Sequence, residues 1–455
     1  MEEERERDPT YSRTKLVNVI LLGLVFMTTG SRTPISIQKT VLYSAKQVNS
    51  TAYVPGLTGD GYLANSLLYA TFSVSNFFAP WVIEMIGPRL SMVIGSLGYT
   101  AYSAQLLYLS DLTLYTAAVL NGVGASLLWT GQGNFLSINS SQSTAARDAG
   151  IFWSLYQLSG VLGNIAVYFL FLGVTFIRTD IRIKTAATFT CLCLTGLVIA
   201  LGFRPTPWHR ANTTGRTNPL TSLTACLRLL VTRDIFLLSG SFLYSGLEIS
   251  YWAGVLPSSI SFTQHLGQER KSLMGLCSVL VSVGSMTGGL LLITFQEAVS
   301  RTGRVPVVVV GMVTHLAAFA LSLVFLPHLS PLGETDLPAL SPPSAWPLLL
   351  TAALLGLGDA ALNTQIISLL STQYKENSAH AFALMKLIQS VGVSGGFAVS
   401  SRLGLYWQLL ILGTSLLLAT AGFVWVEVRT RRLRSHHTTP PHEMETLKTV
   451  ETSSA

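Results

Sequence analysis

The sequence predicts an all-α membrane protein of twelve transmembrane helices, organised as two halves of six. Three observations carry this. Hydrophobic residues make up 49% of the 455 positions and charged residues only 11%, against roughly a quarter charged in a soluble domain. Residues 61–83, 90–110, 112–146, 149–177, 185–203, 272–296, 305–333, 337–358 and 403–426 contain no Asp, Glu, Lys or Arg, and about 20 helical residues cross a hydrocarbon core of ~30 Å. Third, short matching strings recur between the two halves of the chain at a nearly constant spacing.

Residues 1–15 form a polar N-tail that begins MEEERERD. Its charge is wrong for the first segment of a cleavable signal peptide, so the first apolar run is read as the insertion signal. The N-terminal bundle, 16–203, holds spans Leu16–Ser36, Gly61–Ile83, Leu90–Leu109, Thr113–Leu136, Gly150–Leu172 and Ile183–Phe203. The linker, 204–234, is polar and rich in Pro, Thr and Arg. Within it Asn218 is placed to cap a helix with Pro219 at its first position, and Leu220, Leu223, Leu227 and Leu230 share one face, which reads as an amphipathic helix at the membrane surface. The C-terminal bundle, 235–428, holds spans Ile235–Leu256, Ser272–Phe295, Val305–Leu326, Trp346–Leu370, His380–Ser401 and Leu405–Val426. The C-tail, 429–455, opens with RTRRLR, suited to anionic lipid headgroups or to a plain stop-transfer anchor, and then turns polar.

An even number of spans leaves both termini on one side. Segments on that side carry 19 Lys and Arg and those on the other carry 8, Lys184 at the very start of the sixth span counted among them, so the positive-inside bias places both termini in the cytoplasm. Of three Asn-X-Ser/Thr sequons, only Asn49 falls on the outer side and is the expected glycosylation site. The sequence leaves plasma membrane and endolysosomal membrane equally open.

Internal repetition supports the split into halves. Phe26 and Gly30 match Phe242 and Gly246 at an offset of 216, and Gly87, between Glu84 and Arg89, matches Gly303, between Arg301 and Arg304, at the same offset. The offset grows to 234 for Gly122-Val-Gly124 against Gly356-Leu-Gly358, after the Pro-rich stretch Pro331 to Pro343. A parallel repeat of six spans is how the two halves of many transporters are related.

Several functions are excluded. The net charge of +7 is spread over short segments beside the spans, so no basic surface for nucleic acid is expected. Cys191, Cys193, Cys226 and Cys277 make no CxxC or Cys/His spacing, so neither disulfide framework nor zinc is expected. His315 is a lone intramembrane imidazole, and the glycines of the eighth span follow no strand as a phosphate loop would. The chain is read as not an enzyme, with no cofactor.

The loop Pro80-Trp-Val-Ile-Glu84-Met-Ile-Gly87-Pro-Arg89 resembles the signature loop of the major facilitator superfamily, with Pro80 in place of the usual first Gly and Pro88 in place of one basic residue. Leu128-Trp-Thr-Gly-Gln-Gly-Asn134, Ser137-Ile-Asn139, Gly150-Ile-Phe-Trp153, Tyr244-Ser-Gly-Leu-Glu248, Gly356-Leu-Gly-Asp359, Asn363-Thr-Gln365 and Ala381-Phe382 with Lys386 are similar to the uncoordinated-93-like branch of that superfamily. The resemblance runs from about Lys15 to Val426. It implies a major-facilitator-type six plus six pseudo-repeat around a central cavity, with alternating access, and it implies that the loop Glu84, Gly87, Arg89 controls conformation through a charged contact to a neighbouring helix end. Members of the branch are also accessory subunits or trafficking chaperones of other membrane proteins.

Four ionisable residues lie inside spans, where charge is costly and marks candidate function. At ~1.5 Å per residue, Arg32 and Glu248 come out nearly level in the outer half, roughly 24 and 20 Å from the cytoplasmic boundary. Asp359 and Lys386 come out nearly level in the inner half, at roughly 10 and 9 Å. The expected pairs are therefore Arg32 with Glu248, a gate, and Asp359 with Lys386, a latch or ion-coupling site. Static bridges are the plain alternative, and Arg32 is also placed to snorkel to the outer boundary. Asn363 shares a face with Asp359, while Tyr244, Tyr251 and Trp252 flank Glu248.

The resulting expectation is a multi-pass protein in the lipid bilayer that moves a small solute by alternating access. The cavity residues are Arg32, Glu248, Asp359, Asn363 and Lys386. The competing reading is a non-transporting accessory subunit or trafficking chaperone with a membrane-protein partner.

Overall fold

Helix occupies each of the twelve expected segments. The chain is described as a computed structural model over residues 9–29, 32–48, 50–141, 144–204, 224, 228–374 and 378–438. Asn49 and, apart from Thr224, the amphipathic segment from Asn218 to Leu227 lie outside the described residues. In the first half the helices are α1 (Pro9–Thr29), α2 (Thr33–Ala45), α3 (Gly61–Ser75), α4 (Ala79–Ile86), α5 (Pro88–Ala104), α6 (Asp111–Asn139), α7 (Ala145–Leu170) and α8 (Thr179–Leu201). In the second they are α9 (Arg233–Ser250), α10 (Leu256–Phe262), α11 (Arg270–Thr294), α12 (Gln296–Thr302), α13 (Arg304–Phe325), α14 (Ala345–Gln373), α15 (Ser378–Ser400) and α16 (Leu405–Thr438). Among the described residues eight helices are long and apolar enough to cross a membrane, nine if α3 and α4, bent by 63°, form one span.

Local sequence explains the boundaries. Asp60 caps α3, its side chain accepting from the Tyr62 and Leu63 amides. Ser110 and Thr113 form a reciprocal capping box that starts α6. Pro80 has no amide to donate, which fits the bend between α3 and α4. A π-helical turn, Tyr251–Val255, joins α9 to α10 just before Pro257, where one backbone donor is missing.

Two boundaries correct the sequence reading. The first span does not end at Ser36: α2 runs on to Ala45 with Gln38, Lys39, Thr40 and Ser44 all buried. Those side chains face protein instead of lipid, so a polar run continues a buried helix. The C-tail does not start at Arg429 as a separate segment, because α16 continues to Thr438, with Arg429 paired to Asp234 at 2.5 Å and Arg431 to Glu427 at 2.9 Å.

The packing repeats between halves. α1 packs on α7 and α8, α6 on α3 and α5, and α5 on α8. In the same order, α9 packs on α15 and α16, α14 on α11 and α13, and α13 on α16. The halves meet through α7 against α11 and α3 against α15, and α2 touches α10. Thr40 and Ser261 share a hydrogen bond of 2.8 Å across this boundary, and Ser73 donates to Ser390 at 2.7 Å. Side-chain hydrogen bonds between the halves, among the described residues, lie from mid-helix to the end that carries Ala45 and Phe262. Large apolar side chains such as Phe169, Val198, Leu290, Ile293 and Leu418 are exposed on the outside, as a lipid-facing surface requires.

Candidate functional site

The two helix-linking loops are built alike. Gly87 has φ 83° and ψ 156°, Gly303 φ 91° and ψ −172°, a region open essentially to glycine alone. Each lets the next helix begin without a linker. Arg89 then donates to the Leu201 carbonyl at 2.6 Å, satisfying the end of α8. Arg304 ties α13 to Glu427 of α16 at 2.9 Å and to Ser368 and Thr372 of α14. The Arg89 contact reaches a neighbouring helix end through a backbone carbonyl and stays within one half. Glu84, half-buried on α4, lies in the same loop.

Glu248 and Asp359 come together in the middle of the second half. Glu248 is fully buried midway along the continuous helical run from Arg233 to Phe262, and Asp359 sits midway along α14. With both ionised, neither Glu248 oxygen has a hydrogen-bond donor. Their contact becomes a hydrogen bond only when one of the two carries a proton. His315 on α13 closes the other side, its Nε2 3.4 Å from Glu248 Oε1. That nitrogen also lies 3.1 Å from the Leu355 carbonyl, and Nδ1 lies 2.5 Å from the Tyr244 hydroxyl. A carbonyl only accepts, so Nε2 carries the hydrogen and Nδ1 accepts from Tyr244.

On the far side of Asp359 runs a polar relay. Lys386 Nζ donates to Gln389 Oε1 at 2.9 Å, Gln389 Nε2 to Ser245 Oγ at 2.8 Å, Ser245 Oγ to Asn363 Oδ1 at 3.0 Å, and Asn363 Nδ2 to Asp359 Oδ1 at 2.7 Å. An ammonium has no acceptor, so Lys386 sets the direction of every bond in the chain.

Neither expected ion pair forms. Within 4.0 Å, and among the described residues, Arg32 does not bridge Glu248 and Lys386 does not bridge Asp359. The depth count erred because it measured from the ends of the apolar runs. α9 with α10 and α14 both extend past those runs, which brings Glu248 and Asp359 to one level. Nor does Arg32 snorkel outward, since the thirteen residues of α2 lie beyond it. Instead its guanidinium lies 5.0 Å from the Trp252 ring centroid, within electrostatic reach of Asp359, Tyr69, Tyr99 and Tyr156. Arg32, Trp252, Asp359 and Asn363 are half-buried and Lys386 is exposed. Arg32 of the first half and Trp252, Asp359, Asn363 and Lys386 of the second thus lie where the halves face each other, each with part of its surface accessible. Behind Arg32 stands an aromatic cluster in which Phe26 packs edge-on to Trp129 and Phe152, with Tyr156 and Trp153 beside them.

Asn363 is where its spacing placed it. His315, Ser245 and Gln389 were missed. The signal for His315 was its position midway along a 22-residue helix, level with the mid-helix carboxylates. Ser245 and Gln389 are ordinary polar residues of membrane helices, and nothing in the sequence distinguishes them. The repeat adds one more relation: Arg32 and Glu248 are 216 residues apart, as are Tyr99 and His315.

Two bundles with the same internal packing, meeting across a polar space, make this a transporter-type fold of the major facilitator kind. The nucleoside transporter NupG is similar over 91% of this chain and 98% of its own, at 14% identity and TM-score 0.59. A peptide transporter POT solved with sulfate is similar over 92% and 94%, at 13% identity and TM-score 0.65. The chain belongs to the UNC-93 family, whose model, described as ion channel regulatory protein UNC-93, matches residues 57–424. It is 35% identical to the UNC93-like protein MFSD11 of Xenopus laevis over 91% of this chain and 96% of that one. It is 24% identical to protein unc-93 homolog A of Homo sapiens over 81% and 86%.

Proposed function

We propose that this protein is a secondary transporter that carries a small solute through the space between its halves by alternating access, coupled to a proton held between Glu248 and Asp359. The observation that carries the reading is the closeness of two mid-helix carboxyl groups, Glu248 buried and Asp359 half-buried, beside the charges of Arg32 and Lys386. Two carboxylates in contact at low dielectric repel, so together they bind one proton. The groups facing that proton are His315 and Tyr244 on one side, and Arg32 and, through the relay, Lys386 on the other. A solute that alters the balance of these charges alters proton affinity, which is what coupling requires. Both termini lie on the cytoplasmic side in this reading, so the end at which Thr40 meets Ser261 is the closed outer end.

The test is uptake into proteoliposomes across an imposed pH gradient, with wild type beside Glu248→Gln and Asp359→Asn. Gradient-driven accumulation is expected in wild type, and each variant should still bind solute but lose the dependence on the gradient. Accumulation that ignores the gradient in all three would refute the coupling.

A second reading is favoured by the family's description: a regulatory subunit of another membrane protein. It is supported if crosslinking in native membranes recovers one stoichiometric membrane partner whose binding is untouched by Glu248→Gln.

A further inference from the structure

The accessible space between the halves carries unequal charge. Arg32 and Lys386 contribute two positive charges, neither in an ion pair within 4.0 Å among the described residues. Glu248 and Asp359, holding one proton between them, contribute a single negative charge. The balance is one positive charge, in a setting where uncompensated charge is expensive. Arg32 is the more suggestive of the two cations. Its guanidinium carbon lies 5.0 Å from the Trp252 ring centroid, and among the described residues no carboxylate or carbonyl is hydrogen-bonded to its fork of donors, which matches a carboxylate in two parallel hydrogen bonds. The wall next to it is aromatic: Tyr69 and Tyr156 lie within its electrostatic reach, and Trp153, beside Tyr156 in the same cluster, is 50% exposed. An exposed indole face such as that of Trp153 accepts a flat ring by offset or edge-on stacking.

We infer that the space between the halves is a binding site for an aromatic monocarboxylate. Arg32 holds the carboxylate, Lys386 supplies the second positive charge, and the ring lies against the aromatic wall of the first half. The proposal rests on reading that space as the solute site, and it adds the class of solute.

Three probes share one ring and differ only in the charge of the head group: indole-3-acetate, tryptamine and indole-3-acetamide. Each is titrated into purified protein in nanodiscs while thermal unfolding is followed, and each is then offered in radiolabelled form to proteoliposomes. Indole-3-acetate alone is expected to raise the unfolding temperature. Arg32→Gln should weaken its binding about tenfold or more, the loss of a charged hydrogen-bonding partner. Arg32→Lys, which keeps the charge but loses the fork, should fall between. Because the comparison of head groups is made on the wild-type protein, it stands even if a variant fails to fold. Stabilisation by tryptamine, equal stabilisation by all three, or stabilisation by none overturns the proposal. Tryptamine carried into proteoliposomes would leave transport standing and remove the anion. Indole-3-acetate bound but never carried would leave the site standing and remove transport.

Discussion

Lys386 and Asp359 are joined by four hydrogen bonds that all donate in one direction, from the ammonium to the carboxyl. The charge on Lys386 therefore reaches Asp359 through Gln389, Ser245 and Asn363, without the side chains touching. Removing a middle link should uncouple the ends. In a double-mutant cycle, Lys386→Met and Asp359→Asn should interact in the wild-type background and act additively once Gln389→Leu is present. Gln389→Leu alone should cost about 1–3 kcal/mol in thermal or denaturant unfolding, because it strands the buried Ser245 hydroxyl and removes the acceptor of Lys386. An unchanged interaction energy in the Gln389→Leu background would contradict the relay.

Tyr244 and His315 share a hydrogen bond beside Glu248, and the other ring nitrogen of His315 faces the Leu355 carbonyl. Tyr244→Phe leaves His315 Nδ1 without its donor and should destabilise by about 1–3 kcal/mol. His315→Leu added to it should recover part of that loss, since both partners of the bond are then apolar. Denaturant unfolding of the four proteins in one detergent measures this; simple additivity would count against it.

Gly87 and Gly303 share a backbone conformation that other residues avoid, so Gly87→Ala and Gly303→Ala should each lose about 1–3 kcal/mol. At Gly303 the added methyl group would run into the Arg431 guanidinium. Arg431→Ala should therefore relieve part of the Gly303→Ala defect and none of the Gly87→Ala defect, as read from unfolding temperatures.

The end that the proposed orientation places outside is closed through Thr40 and Ser261. Cysteines at both positions should crosslink under mild oxidation, and the crosslink should stop uptake reversibly. A regulatory subunit would keep its partner with the crosslink in place, so one variant addresses both proposed functions.

The proposed orientation exposes Asn49 to glycosylation. Asn139 is buried, accepting from Asn18 at 2.8 Å and donating to the Phe135 carbonyl at 2.8 Å, and cannot carry a glycan in the folded protein. A glycosidase-sensitive mass shift lost in Asn49→Gln is expected. One that survives Asn49→Gln and disappears in Asn212→Gln would invert the topology.

The helical fold and the repeat were legible because lipid enforces charge-free runs and because duplication left Gly87 and Gly303 in register. What lipid does not touch was harder to read. Ser36, Thr40 and Lys39 look like the end of a span, yet they lie in the middle of a buried helix, with Lys39 paired to Asp60 at 2.5 Å. The same blindness misplaced the charges: hydropathy marks where helix leaves lipid, whereas the meeting of Glu248 with Asp359 depends on where helix ends. His315 lacked a partner in the sequence because Tyr244 and Glu248 lie on a different helix.

Arg32 and Glu248 occupy equivalent positions of the repeat, and an axis along the membrane normal relates equivalent positions at one depth. The charge separation between them therefore lies parallel to the membrane plane. Membrane voltage acts only on displacement across the bilayer, so under the proposed rocking of the halves it would do no work on this separation. Only the proposed cargo would feel the potential, and a monoanion travelling with the single proton of the carboxyl pair is electrically neutral. A carrier built this way would run on concentration and pH alone, at the same rate in a polarised membrane as in a depolarised one.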